Sequence, residues 1–250
     1  MNAWELLDSE EVPRSPGAPE TGRASVMALM RRGHEFVIRV DGRELMGSHV
    51  HGSEDALADL AFERLGARAA PRVLVGGLGM GFTLAAALRG VGPEGAVVVA
   101  ELVPAVVRWN RGVLGAVAGN PLADPRASVH AGDVADAMRH PPQPWDAILL
   151  DVDNGPSGLT RASNNWLYTP EGLETAHRGL APGGILGVWS AFPDAAFTRR
   201  MERAGFAVEV VEVRARGGKQ GGQRHVIWFG TREAGGAAWR ARAEARRSRD

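Results

Sequence analysis

Cysteine is absent from the 250-residue chain, and tyrosine occurs once. Without cysteine there is no disulfide framework and no thiolate metal site, a pattern compatible with a cytoplasmic setting. An excess of one charge is missing too, since 29 Lys and Arg balance 29 Asp and Glu. No global field therefore draws the chain to nucleic acid or an acidic membrane, and neither is expected as a partner. No run approaches the roughly 18–20 apolar residues a membrane helix needs. The opening stretch MNAWELLDSEEVPRS is acidic and lacks an apolar core segment, so no signal peptide is expected. There is neither a G-x-S-x-G elbow nor a phosphate loop ending in Gly-Lys-Ser/Thr. His49 and His51 alternate, but no third ligand follows at a useful spacing, so no metal site is expected.

What remains is an ordinary globular composition, 44% hydrophobic and 23% charged, long enough for one large domain with a small appendage. Residues 9–23, rich in Pro, Gly and charge, read as a mobile leader. FVIRV (36–40) and RELM (43–46) flank Asp41-Gly42, a strong hairpin signal. Ser53 before Glu54 and Asp55 reads as the N-cap of a helix that Gly66 ends. Seven apolar strands are then expected: 72–76, 96–102, 127–133, 145–151, 182–190, 206–213 and 224–230. Helices are expected over 80–89, 104–113, 134–139, 170–180 and 193–204. Continuous apolar strands separated by helices predict an α/β fold, a doubly wound, mostly parallel Rossmann-like sheet with an N-terminal β-hairpin appendage. The last two strands are close enough in sequence to pair antiparallel across the flexible turn at 217–222. The expected division is 1–66 for leader, hairpin and linking helix, 67–232 for a nucleoside-binding catalytic domain, and 233–250 for an Arg-rich tail that reads as a solvated end.

The chemistry gathers at strand ends. VGGLGMGF (75–82) places Gly77, Gly79 and Gly81 between a strand and a helix N-terminus, where bare backbone and free N–H groups can meet a ligand. The pattern is G-x-G-x-G; the dinucleotide fingerprint would need glycine where Phe82 stands. Glu101 ends the second strand, where an acid can bond a ribose diol. Gly132 and Asp133 end the third, where a carboxylate can accept from an adenine amino group, although Asp133 also suits a helix cap. Asp151 and Asp153 end the fourth. Acids at three successive strand ends, with no phosphate-binding lysine, suit a cationic nucleoside such as S-adenosylmethionine. The carbon next to its sulfonium is already activated for displacement, so the protein must mainly position a nucleophile and manage a proton.

From about residue 36 to 230 the chain resembles the spermidine synthase (polyamine aminopropyltransferase) family, a branch of the class I S-adenosylmethionine-dependent methyltransferase superfamily. The likeness rests on the hairpin FVIRV-DG-RELM, the loop VGGLGMG, Glu101, Gly132-Asp133, and the segment LYTPEGLETAHRGLAPGGILGVWS (167–190). It implies a seven-stranded class I methyltransferase sheet. It also implies S-adenosylmethionine or its decarboxylated form as co-substrate, without metal, and donor contacts from Gly77, Gly79, Gly81, Glu101, Gly132, Asp133 and Asp151. In the family's Asp-Ser-Ser-Asp-Pro loop the first acid takes the amine proton and both acids hold the substrate ammonium. Here the loop reads Asp151-Val152-Asp153-Asn154-Gly155-Pro156, so Asp151 matches the first acid. Asn154 stands at the second, with Asp153 one residue earlier to replace it. Ser190 and Trp189 stand near the place of a family glutamine, and His51 and Glu54 near an N-terminal Tyr-His-Glu-like stretch.

Two carboxylates at a strand end suit a site that attracts an ammonium group, removes its proton and turns the lone pair toward a sulfonium. The expected activity is therefore aminopropyl transfer to a small-molecule amine, with Asp151 and Asp153 catalytic and a homodimer as the assembly the family suggests. Two readings stand beside it: a methyltransferase acting on a small metabolite, and a catalytically inactive protein that binds an adenosyl ligand.

Overall fold

A computed structural model describes residues 3–12, 24–152, 155–156, 166–215 and 222–233. The seven-stranded sheet is built from β5 (Arg72–Gly76), β6 (Ala96–Glu101), β7 (Ala127–Ala131), β8 (Trp145–Leu150), β9 (Leu180–Ser190), β10 (Phe206–Arg214) and β11 (Arg224–Arg232). Their order is β10-β11-β9-β8-β5-β6-β7. The pairs from β9 through β7 are parallel, while β11 runs antiparallel to both β9 and β10. β6 and β7 lie on one side of β5, and β8 and β9 on the other. The crevice between the carboxyl ends of β5 and β8 is thus the topological switch point, where open α/β sheets bind ligands.

Side-chain alternation along the strands feeds two apolar layers. Val73, Val75, Val97, Val99, Leu149, Ile185 and Ile227 face one way, against α1 (Gly52–Leu65), α2 (Phe82–Gly90) and α3 (Pro104–Arg111). Leu74, Ile148, Leu150, Leu186, Val188 and Trp228 face the other, against α4 (Val134–Arg139), α5 (Pro170–Gly179) and α6 (Ala195–Arg203). Burial on both faces explains why these strands read as unbroken apolar runs. Gly187 makes a flat spot for α1: a Cβ there would sit 2.9 Å from Leu57 Cδ1 and 3.1 Å from Leu149 Cδ2.

Before this domain lies a four-stranded antiparallel sheet, β1 (Glu5–Glu11), β2 (Val26–Arg32), β3 (Glu35–Val40) and β4 (Arg43–Gly47), in that order. The expected hairpin is its β3–β4 half, turning through Asp41 and Gly42 at φ 50° and 79°, as a tight hairpin turn requires. The other half corrects the leader reading: residues 9–11 are strand, and 13–23 lie outside the described residues. ELLDSEE shows little alternation, because β1 is an edge strand with much of its surface exposed. It is tied down by ions, as the Trp109 indole donates to Asp8 at 2.8 Å and Arg108 to Glu10 at 2.6 Å. Met27, Leu29 and Ile38 join the apolar cluster beneath α1 and α2.

The N-cap expectation also shifts. α1 begins at Gly52 with His51 as its cap residue, and no side chain closes the cap. Ser53 is buried, and its hydroxyl turns inward to Glu54 at 2.6 Å. Among the described residues no helix is long and apolar enough to cross a membrane. The turn at 217–221 and the tail beyond 233 lie outside the described residues.

Candidate active site

Gly77, Gly79 and Gly81 lie at φ +88°, +50° and +87°, a region glycine enters without a Cβ penalty. Gly77 also needs its bareness: a Cβ would fall 2.4 Å from the Asp151 carbonyl oxygen. The loop and the end of β8 are thereby pressed together, and the Asp151 N–H donates to the Gly76 carbonyl at 2.9 Å. From behind, the Asn110 amide donates to the Gly79 carbonyl at 2.8 Å. Met46 of β4 approaches the same turn, with its sulfur 2.8 Å from where a Gly79 Cβ would stand. Gly81 caps α2, aiming the first free N–H groups of that helix at the crevice.

Glu101 is held across the mouth of the loop. One carboxylate oxygen accepts from the Leu78 N–H at 3.0 Å and the other from the Val103 N–H at 2.8 Å. The Gly132 N–H donates to the Glu101 carbonyl at 3.0 Å, which sets the β7 end beside the β6 end. Asp133 caps α4, accepting from the Ala135 N–H at 2.9 Å.

Asp151 stands at the end of β8 on the α1–α2 face. The Thr83 hydroxyl, in the first turn of α2, donates to it at 2.6 Å and lies 3.4 Å from the Glu54 carbonyl. Protein crowds the Asp151 carboxyl although it is not wholly sealed from solvent. That desolvation pushes its pKa up to about 6, against the pull of the Thr83 hydrogen bond. Glu54, 9% exposed, is pushed up to about 7, first by burial and next by the charge of Asp151, while the Ser53 hydrogen bond opposes. Among the described residues no basic side chain contributes to either shift. Two acids held partly protonated near neutral pH, with no cation pairing them among the described residues, form an environment that a cationic ligand would relieve.

Asp153 and Asn154 lie outside the described residues. Gly155 presses on Ser190 at the end of β9, and the Ser190 hydroxyl donates to the Phe192 carbonyl at 2.8 Å. Tyr168 is buried and donates to the Val152 carbonyl at 3.2 Å, steadying the segment that follows β8. The two alternating histidines part company. His49 pairs with Glu35 at 3.1 Å; His51 stacks on Phe82 at 4.1 Å and meets Asp55 at 2.6 Å. Both line a separate cavity of about 410 Å³ with Asp55 and Asp59. Among the described residues no group of three or more His, Cys, Asp or Glu is placed to hold a metal.

The crevice thus brings together Gly77, Gly79, Gly81, Glu101, Gly132, Asp133 and Asp151. Sequence reasoning missed Thr83, Asn110 and the contact of the Ser53 hydroxyl with His225 Nδ1 at 2.9 Å, and gave Glu54 little weight. A threonine in the first turn after a glycine loop, aimed at the next strand end, was the one signal available.

No family model matches the chain. Over 145 residues it is 34% identical to the polyamine aminopropyltransferases of Mycobacterium tuberculosis (strains CDC 1551 / Oshkosh and ATCC 25618 / H37Rv) and of Mycobacterium bovis. The match takes in 54% of this chain and 27% of those proteins, so it spans about a quarter of the relatives' length. Among solved structures, spermidine synthase from Thermotoga maritima superposes with a TM-score of 0.69 at 18% identity, covering 92% of this chain and 73% of that one. A spermidine synthase in complex with the transition state analogue AdoDATO gives 0.67 at 17%, with the same coverage. A probable spermidine synthase from Corynebacterium glutamicum gives 0.53 at 20%, covering 83% and 77%. In fold the chain is similar to the spermidine synthases, and over those 145 residues its sequence is similar to the polyamine aminopropyltransferases.

Proposed function

We propose that the chain is a transferase that moves an aminopropyl group from decarboxylated S-adenosylmethionine to a small-molecule amine. The observation that carries this reading is Asp151: a desolvated carboxylate at the switch point, against the glycine loop, beside a second acid and, among the described residues, without a basic partner. The glycine cradle and Glu101 suit the nucleoside half of such a donor, and Asp133, which caps its helix, would accept from the adenine amino group. The named activity of the relatives, matched over 145 residues, supports the same choice.

The acceptor arrives as an ammonium ion, which Asp151 attracts and deprotonates. A carboxyl poised near pH 6 is a weak base for a free amine. The sulfonium alongside lowers the amine's own pKa by like-charge repulsion and narrows the gap. The freed lone pair attacks the carbon next to sulfur, the C–S electrons return to sulfur, and a neutral thioether departs. Asp153, read from sequence alone, would hold the same ammonium. The reading carries with it a cytoplasmic setting and a homodimer.

The test is turnover of decarboxylated S-adenosylmethionine with putrescine or spermidine, followed by release of 5′-methylthioadenosine. Asp151→Asn is expected to lower the rate by about a hundredfold or more while affinity for the thioether stays within a few-fold. Equal rates for the two proteins would remove Asp151 from the chemistry.

A further inference from the structure

The carboxyl proposed to take the amine proton has two oxygens, and the fold treats them differently. Oδ2 of Asp151 accepts from the Thr83 hydroxyl at 2.6 Å, a distance typical of a charge-assisted bond. Among the described residues no other side chain hydrogen-bonds this carboxyl, and Oδ1 is left without a partner. Thr83 is 3% exposed and sits in the first turn of α2, two residues beyond the Gly81 cap. Its hydroxyl has one further acceptor, the Glu54 carbonyl of α1 at 3.4 Å, a long and weak alternative.

A threonine in a helix commonly bonds back to a carbonyl of its own helix. Thr83 instead reaches across to β8 and α1, so that three elements meet at its oxygen. The charged groups nearby do not compete for Asp151. Glu54 of α1 only repels it, and His51, Asp55, Asp59 and Arg89 are paired among themselves. Glu101 of β6 is engaged by the Leu78 and Val103 N–H groups, and His225 of β11 by the Ser53 hydroxyl.

We propose that Thr83 is the positioning residue for Asp151: its hydroxyl fixes Oδ2, keeps the carboxyl ionised, and reserves Oδ1 for the proton of the acceptor amine. The idea rests on the transferase reading above. Desolvation favours the neutral acid, and among the described residues the Thr83 bond is what opposes it. In the reaction an amine N–H bond breaks and an Oδ1–H bond forms. The freed pair attacks the carbon next to sulfur, and the C–S pair returns to sulfur. Thr83 keeps its own hydrogen throughout. Oδ2 of the neutral acid is a weaker acceptor, so the hydroxyl is then shared with the Glu54 carbonyl. The proton leaves Asp151 directly for solvent, from which the residue is not sealed, and the carboxylate is restored for the next cycle. Thr83 acts through Asp151 and touches neither substrate.

A pH profile separates this role from packing. The quantity is kcat/KM for the amine at saturating decarboxylated S-adenosylmethionine, in the wild type, Thr83→Val and Thr83→Ser, each as the full chain. Valine keeps the buried shape without the hydroxyl, and serine returns the hydroxyl. The amine's own titration is common to all three, so any difference between the curves belongs to the protein. Expected for Thr83→Val is an acid limb moved up by about one pH unit, hence a rate about tenfold lower on that limb. At the alkaline plateau it should fall by no more than a few-fold, and 5′-methylthioadenosine affinity should stay within a few-fold at every pH. Thr83→Ser should follow the wild-type limb. A loss in Thr83→Val that is uniform across pH, an unmoved limb, or a shift that Thr83→Ser shares overturns the assignment while the transferase reading stands. If Thr83→Val fails to bind the thioether, Thr83→Ala carries the same comparison. Thioether binding without wild-type turnover on either amine overturns the transferase reading, and the role of Thr83 with it.

Discussion

At the scale of single residues, the two raised carboxyls make a prediction about stability that needs no substrate. Asp151 and Glu54 start from ordinary values of 3.8 and 4.5 and rise to about 6 and about 7 in the fold. Between those limits the native state keeps protons that the unfolded chain has released, so stability falls as pH climbs from about 4 to about 7. Glu54→Gln removes one titration while leaving an oxygen to accept from Ser53. Its melting temperature should match the wild type near pH 4 and exceed it above pH 7, by as much as about 3 kcal/mol in stability. Thermal melts across pH 4–8 check this, and parallel curves for the two proteins would contradict it. A cationic ligand should narrow the same gap, because it stabilises the ionised pair.

At the scale of elements, several residues carry two duties at once. Asp133 caps α4, and under the proposed function it also meets the adenine, so replacing it by Ala would mix two losses. Ser also caps well, so Asp133→Ser should keep the stability that Asp133→Ala loses, about 1 kcal/mol, while both weaken adenosyl affinity. Equal affinity in the wild type and Asp133→Ser would leave only the cap. Gly77→Ala is a harsher change, since a Cβ would press on the Asp151 carbonyl at a positive φ. It should cost about 1–3 kcal/mol in melting experiments and more than tenfold in donor affinity.

The same scale explains what the sequence made legible. β5 to β9 were readable because parallel strands buried on both faces must be continuous apolar runs. The glycine loop, Glu101 and Asp151 could be placed at strand ends because the strands themselves were legible, and such ends are where open α/β sheets hold ligands. β1 and β2 were harder: an edge strand with exposed, charged positions resembles the leader that follows it. Ser53 was read as a cap because its position in the sequence suits one. The structure turns it inward because α1 settles onto the flat spot at Gly187, bringing its first turn over Asp151. That lateral placement is a tertiary fact. No pattern within residues 51–56 contains it, and so the Glu54 pair and the His225 contact were out of reach.

For the whole molecule, the two sheets converge on one loop. The N-terminal sheet sends Met46 against Gly79 and is anchored by Asp8 and Glu10 to α3, whose Asn110 holds the same glycine turn. The α/β sheet brings Asp151 and Glu101 to its other side. The result is a crevice whose polar lining is mainly acidic, suited to a nucleoside that carries positive charge. Decarboxylated S-adenosylmethionine has no carboxylate, so an acidic wall favours it over the intact molecule, whose carboxylate that wall repels. The decisive measurement is calorimetric titration of the purified chain with each donor in turn. The decarboxylated donor should bind more tightly by about tenfold or more, equivalent to about 1.4 kcal/mol. Equal or tighter binding of intact S-adenosylmethionine, or binding of neither, would contradict the assignment of this crevice to aminopropyl transfer.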